Sequence, residues 1–307
     1  LGADVLFGRI PQKLQEHHGI EVPISSAQAI TQTHAAKVHQ SQVLPTKTPT
    51  TTGVEQLIVE MDGTMIPIVE TTAGNDAAGH SIDRRTTRQT RFKEARLGLA
   101  RATEELPPKF GATFGTPDDA GKQLLACAIA AGLGANTQVH AVGDGAPWIA
   151  NQVDAVFSNQ ATYLLDFYHL SEYLAAASLV CAPTAPDAWL AVQQHALKHN
   201  QSPQVLAALL PYLEPDTVAD DRAVVRAAYR YLDNRPDQLN YQGAIAADLP
   251  IGSGEIESAH RYLILERLDI AGAWWTVDKA EQLLSLRVLR QNQEWDDYWA
   301  SRLPDAA

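Results

Sequence analysis

Three carboxylates in this sequence stand where chemistry can be done. Asp62 lies where the apolar run "EQLIVEM" meets an Asp-Gly pair, and Asp144 where a second run, "QVHAVG", meets a Gly turn in "VGDGAPW". Carboxylates at strand ends of an α/β sheet point into the crevice where sites form. Asp-Gly is also a turn-former, so either residue alone reads more often as structural, and the pair carries more weight than its members. Glu257 sits in the first turn of "GEIESAHRYLILERL", where a carboxylate also suits the helix dipole, a job Glu255 does as well. At 3.6 residues per turn, positions two apart lie about 200° apart around the axis. Glu257 then shares its side with Ile264 and Leu268, and Glu255 shares its side with Tyr262 and Glu266. The Glu257 side is the more apolar and is expected to face the domain, where a carboxylate needs a partner or a metal.

Two Asp and one Glu are hard oxygen ligands that suit Mg²⁺, with Mn²⁺ as the alternative. Two such ions about 4 Å apart activate a water or a 3′-hydroxyl and stabilise the leaving oxygen at a phosphodiester, so the protein supplies no nucleophile. Asp166-Phe-Tyr-His169 ends a further strand. There Asp166 and His169 are auxiliary candidates, for holding a substrate strand or orienting a ligand. Trp148, Trp274 and Trp275 lie beside these motifs; they either stack on a base or pack, and packing is the commoner use of Trp.

The elements that must position these residues form an α/β pattern. Residues 5 to 40 read as short helices, with Gly19 as a turn and Ser25 and Ser26 as caps, a rhythm shared by helix-turn-helix units and ordinary helix pairs. The Pro/Thr/Gly stretch "LPTKTPTTTG" is a linker. It separates a helical segment, 1–45, from the rest across 46–54. "EQLIVEMDGTMIPIVE" reads as a hairpin turning at Asp62-Gly63, and "FKEARLGLARA" as a third strand. A helix from Pro117 to Leu133, the strand "QVHAVG", a helix from Pro147 and the strand "ATYLLDFYHL" follow. Residues 55–170 are thus a first part of a core, 171–250 an Ala-rich helical insertion, and 251–300 helices completing the core.

Composition narrows the classes. No apolar run approaches the roughly 20 residues of a membrane span, and no secretory signal opens the chain, so a cytoplasmic protein without a membrane partner is expected. The chain opens at Leu1 rather than Met, so residues preceding it are expected. Cys127 and Cys181 lie in helical stretches and read as buried, inert thiols, not a zinc site or a disulfide framework. A formal charge of −12 argues against DNA binding, yet seven basic residues against two acidic ones fall between Asp83 and Arg101. Arg84, Arg85, Arg88, Arg91 and Lys93, with Trp148, are the candidates for contacting DNA from that local strip; a solvated strand edge is the alternative.

"MDGTMIP", "VGDGAPWI", "DFYHLSEYL" and "GSGEIESAHRYL", followed by "AGAWW", occur in the order found in DDE transposases of the Mutator-like group. Over roughly residues 55 to 295 the chain resembles bacterial insertion-sequence transposases of the Kra type. The resemblance implies an RNase H-like mixed sheet flanked by helices and an all-α insertion before the last acidic residue. It also implies Asp62, Asp144 and Glu257 as the metal triad, and matches Asp166 and His169 to the group's D-x-x-H motif. Expected partners are transposon ends and target DNA, with a homodimer on DNA. DNA-recognition segments are implied upstream, of which residues 1–45 retain at most a remnant. A catalytically silent DNA-binding protein, a metal-dependent nuclease without strand transfer and, more remotely, a metal-free two-carboxylate hydrolase such as a glycosidase are the alternatives.

Overall fold

The computed structural model describes residues 1–71, 83, 85–104 and 107–302. Its organising element is one long strand, β1 (Gln56–Glu70), in which side chains alternate between two buried environments. Leu57, Val59 and Met61 enter one apolar cluster, while Ile66 and Ile68 enter another on the opposite face. Asp62-Gly63 makes no turn. β1 pairs antiparallel with β2 (Gln89–Ala102) in an unbroken register from Leu57↔Ala102 to Glu70↔Gln89, and Asp62 stands opposite Leu97. The Asp-Gly propensity is local, whereas a turn here would break a ladder continuing on both sides. Gly63 serves close approach instead, since a Cβ there would lie 2.1 Å from Glu94 Oε1.

β3 (Lys109–Thr113), a short strand beyond those expected from the sequence, pairs antiparallel with β2. β4 (Gln138–Gly143) and β5 (Ala161–Leu165) run parallel to β1 on its other side, which gives a five-stranded mixed sheet of order β3-β2-β1-β4-β5. The fold is α/β, as expected. Helices α3 (Pro117–Ala130) and α4 (Pro147–Phe157) are the crossovers. α3 starts on a capping box of Thr116 and Asp119, and Lys122 and Thr116 hold the Asp119 carboxyl down at about 2. Leu124, Cys127 and Ala128 pack with Val59, Ile149 and Val153 on this face. Burial pushes the Cys127 thiol up to about 12, in keeping with an inert thiol, and Cys181 is likewise free and buried.

The opposite face is covered by α2 (Ile24–Ser41), by α10 (Gly254–Ala259) and by α12 (Val277–Gln291), through Ala35, Val38, Ile256, Leu283 and Leu284 against Leu97 and Leu99. α1 (Ile10–His18) ends at Gly19 in the left-handed conformation (φ 65°), as its sequence suggests. Ser25 and Ser26 do not cap α2: Pro23 holds the cap position and both serines lie inside the helix, because an extended Pro23 already starts it. Two hydrogen bonds tie α2 to the C-terminal helices, His39 Nδ1 with Ser285 Oγ at 2.9 Å and His34 Nδ1 with Tyr298 OH at 2.7 Å. Between β5 and α10 the chain is helical: α5 (Phe167–Cys181), α6 (Pro186–Lys198), α7 (Ser202–Leu209), α8 (Val224–Asp233) and α9 (Tyr241–Ala246). These pack around a core of their own that includes Leu174, Leu197, Val225 and Tyr241. No helix of the described residues is long and apolar enough to cross a membrane.

Candidate functional site

Register decides which carboxylates meet. β1 pairs with β4 from Gln56↔Gln138 to Glu60↔Val142, so Asp62 and Asp144 are equivalent positions two residues past the last pair. β4 pairs with β5 up to Gly143↔Leu165, which makes Asp166 the equivalent of Asp144 on the third strand. Three aspartates therefore occupy a row of equivalent positions just past the parallel pairing of adjacent strands, which lie about 4.8 Å apart, Asp144 and Asp166 at strand ends and Asp62 within β1. Strand alternation places Ile58, Glu60 and Asp62 on one face of β1, the face toward α10. Glu60 Oε2 accepts from Ile256 N on α10 at 2.8 Å.

The aspartates differ in what they hold. Asp144 Oδ1 accepts from Ala146 N at 2.8 Å, an Asx turn that directs the chain into α4. Gly145 makes the turn possible, with φ 81° and Leu165 Cδ1 2.5 Å from where a Cβ would stand. The helical segment grips this loop from the other side. Tyr231 OH donates to the Asp144 carbonyl, and Arg235 Nη2 donates to the Gly145 carbonyl at 2.8 Å. Asp166 is almost wholly buried and caps α5, Oδ1 accepting from Tyr168 N and His169 N; Oδ2 accepts from Ser253 N and Ser253 Oγ just before α10. The auxiliary His169 lies half-exposed, its Nδ1 3.6 Å from Glu172 Oε2 and its ring edge-on to Tyr173 and Tyr231.

α10 is thus pinned at three points: Ser253 to Asp166, Ile256 to Glu60, and Glu255 to Arg101 at 2.9 Å. Glu255 is spent on β2, and Glu257 is the acidic residue of α10 left toward the row. Partial burial, then the negative charges of Asp166, Asp62 and Glu172, push its carboxyl up, while His169 pulls it down. Glu257 is therefore near Asp62 and Asp166, and Asp144 is not among the charges that shift it. It does not share a buried side with Ile264 and Leu268. Those two are buried, whereas Glu257 is exposed. The helix widens into a π turn over His260–Leu265, which advances fewer degrees per residue, so α-helical phase does not carry from Glu257 to Ile264.

Two site residues escaped the sequence reading. His260 is buried with Nε2 3.3 Å from Asp62 Oδ2, and among the described residues neither ring nitrogen makes a hydrogen bond. The signal was its spacing, three residues past Glu257 on one helix. Glu60 is the lone acid of an otherwise apolar run, two residues before Asp62. Burial pushes its carboxyl up to about 8, above its ordinary 4.5. Glu60 binds its proton more tightly folded than unfolded, so the stability it contributes is full below about pH 4.5 and is lost as pH rises toward about 8. Glu60→Gln keeps an acceptor for Ile256 N and removes the titration. It is expected to flatten the decline between these pH values and to raise the melting temperature above pH 8 by about 5 °C. Thermal melts from pH 5 to 9 measure this, and an unchanged slope in the variant contradicts it.

The described residues contain no group of three His, Cys, Asp or Glu side chains close enough to hold one ion. Asp62, Asp144 and Glu257 form an open set rather than a closed cage, with Glu257 repelled by Asp62 and Asp166. Their donor chemistry fits a hard divalent cation, whose charge would relieve that repulsion.

Of the basic strip, Arg85, Arg88 and Lys93 are exposed; Arg91, also exposed, lies 3.3 Å from Glu70. Arg84 lies outside the described residues. Arg96 is engaged with Glu94 and the Gly115 carbonyl, and its guanidinium lies 5.3 Å from the Trp148 ring. Trp148 is half-buried against the α3–α4 core, and that stacking contact is made within the chain. Neither protein-family models nor curated proteins give a match to this chain.

Proposed function

We propose that this chain carries the catalytic core of a DDE-type transposase, with an RNase H-like sheet, and that it cuts and joins DNA at the row of carboxylates. The observation that carries the reading is the shared register of Asp62 and Asp144 on adjacent parallel strands, with Glu257 brought toward Asp62 by a separately anchored helix. The strand order, with three antiparallel strands followed by two parallel ones and a helical segment before Glu257, supports the fold assignment.

Asp62, Asp144 and Glu257 would hold Mg²⁺ or Mn²⁺. When bound, such ions lower the pKa of an attacking water or hydroxyl and neutralise charge at the phosphodiester. The chain's own part is positional. His260 stands behind Asp62, the Asx turn and Gly145 fix Asp144, and Tyr231 with Arg235 hold that loop against α8. Asp166 fixes the start of α10 and with it Glu257. The exposed Arg85, Arg88, Arg91 and Lys93 would contact backbone phosphates, and pairing of two DNA ends would require a dimer.

The test is incubation of the protein with a labelled DNA duplex in Mg²⁺, Mn²⁺ or EDTA. Nicking that requires the metal and yields joined products is the expected result. Nicking without joined products would replace the reading with a nuclease, and DNA binding without cleavage would replace it with a silent binding protein.

A further inference from the structure

A cleft of about 320 Å³ lies between the N-terminal segment, α2 and the loop preceding α12. Phe7, Gln28, Arg267, Trp274, Trp275 and Lys279 are among its lining residues, which include no carboxylate. Among the described residues two donors here lack an acceptor: Nε of Arg267 and Nε1 of Trp275, on side chains only 1% and 6% exposed. The Arg267 guanidinium is sandwiched 4.7 Å from the Phe7 ring and 4.9 Å from the Trp275 ring. Among the described residues it makes no ion pair, and its single hydrogen bond is a long one, 3.4 Å to the Gly2 carbonyl. A buried cation without an acid and a buried indole N–H without an acceptor each carry a desolvation cost that an acceptor-bearing ligand recovers. Trp274, 44% exposed, offers an aromatic surface, and the Arg88 guanidinium lies 4.7 Å from its ring at the rim.

A ligand matched to this lining is flat, apolar on its faces, rich in acceptors at its edge, and linked to an anion. We propose that the cleft receives one unpaired base of the DNA strand. Its ring stacks on Trp274, its carbonyl edge accepts from Trp275 Nε1 and Arg267 Nε, and its phosphate meets Arg88 and Lys279. The inference rests on the chain acting on DNA, and it adds where along the strand the base is taken. The Trp275 carbonyl accepts from Val69 N at 2.7 Å, so the cleft is tied to β1 seven residues beyond Asp62. At about 3.3 Å per strand residue this is roughly 23 Å, or six to seven nucleotides at about 3.4 Å each. A DNA strand running along β1 would therefore bring to the cleft a base from duplex flanking the reactive phosphate, not from the cut itself.

Binding is measured in EDTA, so cleavage plays no part. A fluorescent duplex carrying a single unpaired thymine is compared with its fully paired counterpart, using wild type and Trp274→Ala. The unpaired thymine is expected to tighten binding about tenfold, and Trp274→Ala to remove that gain while leaving the affinity for paired duplex unchanged. Trp274 is exposed enough for the variant to fold, and a far-ultraviolet spectrum checks this. Arg88→Gln gives a second reading, with a loss on both duplexes that is larger for the unpaired substrate. Equal affinity for the two duplexes, or a gain that survives Trp274→Ala, overturns the inference while leaving the transposase reading standing. No DNA binding at all also overturns it. A gain that depends on Trp274 in a protein that cuts nothing upholds the cleft and removes the transposase reading.

Discussion

Asp144→Asn is expected to slow metal-dependent DNA cleavage by about 10³-fold or more, with little change in melting temperature. The two halves of that expectation have separate causes. The Asx turn needs only one acceptor, Oδ1 toward Ala146 N, and an asparagine carbonyl supplies it. The contacts made by Tyr231 and Arg235 go to backbone carbonyls of this loop and do not involve the carboxylate. What the substitution removes is one negative charge at the mouth of the row, and with it an anionic ligand for a divalent cation. Nicking rates on a labelled duplex, paired with thermal melts, read both halves. Cleavage near the wild-type rate would take Asp144 out of the site, while a collapse in melting temperature would make it structural. Asp62→Asn is a less clean probe, because the same oxygen that faces the site stands 3.3 Å from buried His260.

The sequence made the carboxylates visible and left their geometry hidden. Asp62 and Asp144 stand out because each follows an apolar run, and the parallel strands do bring them level. The reason for their convergence was not legible. The local Asp-Gly signal suggested a turn that would have ended the strand at Asp62, but the chain continues to Glu70. A 14-position antiparallel register with β2 outweighs a two-residue preference. Glu257 was singled out by extending an ideal α-helix across a segment that widens into a π turn. The residue is near the row all the same, because Ser253, Glu255 and Ile256 are each fastened to a different strand or strand end. Long-range pins of this kind leave no periodicity to read. The pairing of Glu60 with Ile256 joins residues separated by 196 positions.

The same pins explain how an Ala-rich helical segment between β5 and α10 bears on the site. Its contact with the Asp144 loop runs through Tyr231 and Arg235, and Tyr163 from β5 adds a hydroxyl 3.3 Å from Gly145 N. Burial raises the Tyr231 and Tyr163 hydroxyls, so both stay protonated at neutral pH, Tyr231 donating to the Asp144 carbonyl and Tyr163 accepting from Gly145 N. A loop carrying a free carboxylate is thereby clamped through its backbone, and its side chain remains available.

Asp166→Ala is expected to be the most damaging single change to the fold near the site, costing about 3–5 kcal/mol and lowering the melting temperature by about 10 °C. A carboxylate offers roughly four lone-pair sites, and Asp166 fills as many: Tyr168 N at 2.6 Å and His169 N at 2.9 Å on one oxygen, Ser253 N at 2.6 Å and Ser253 Oγ at 2.5 Å on the other. Alanine strands these donors where water barely reaches, and each stranded buried donor costs more than an ordinary hydrogen bond contributes. The loss also frees the start of α10 from β5, so Glu257 loses its reference to the sheet. This separates the third aspartate of the row from the other two. Asp62 and Asp144 each give one oxygen to a neighbouring backbone N–H; among the described residues the other faces His260 Nε2 at 3.3 Å in Asp62 and has no hydrogen bond in Asp144, whereas Asp166 has no oxygen left to offer a cation. Ser253→Ala, which removes one of the four donors and keeps the backbone one, should cost about 1 kcal/mol and leave the α5 cap in place. Thermal melts of the two variants decide the point: a wild-type melting temperature for Asp166→Ala would mean that the carboxylate is a ligand held in reserve and not the clasp of α10.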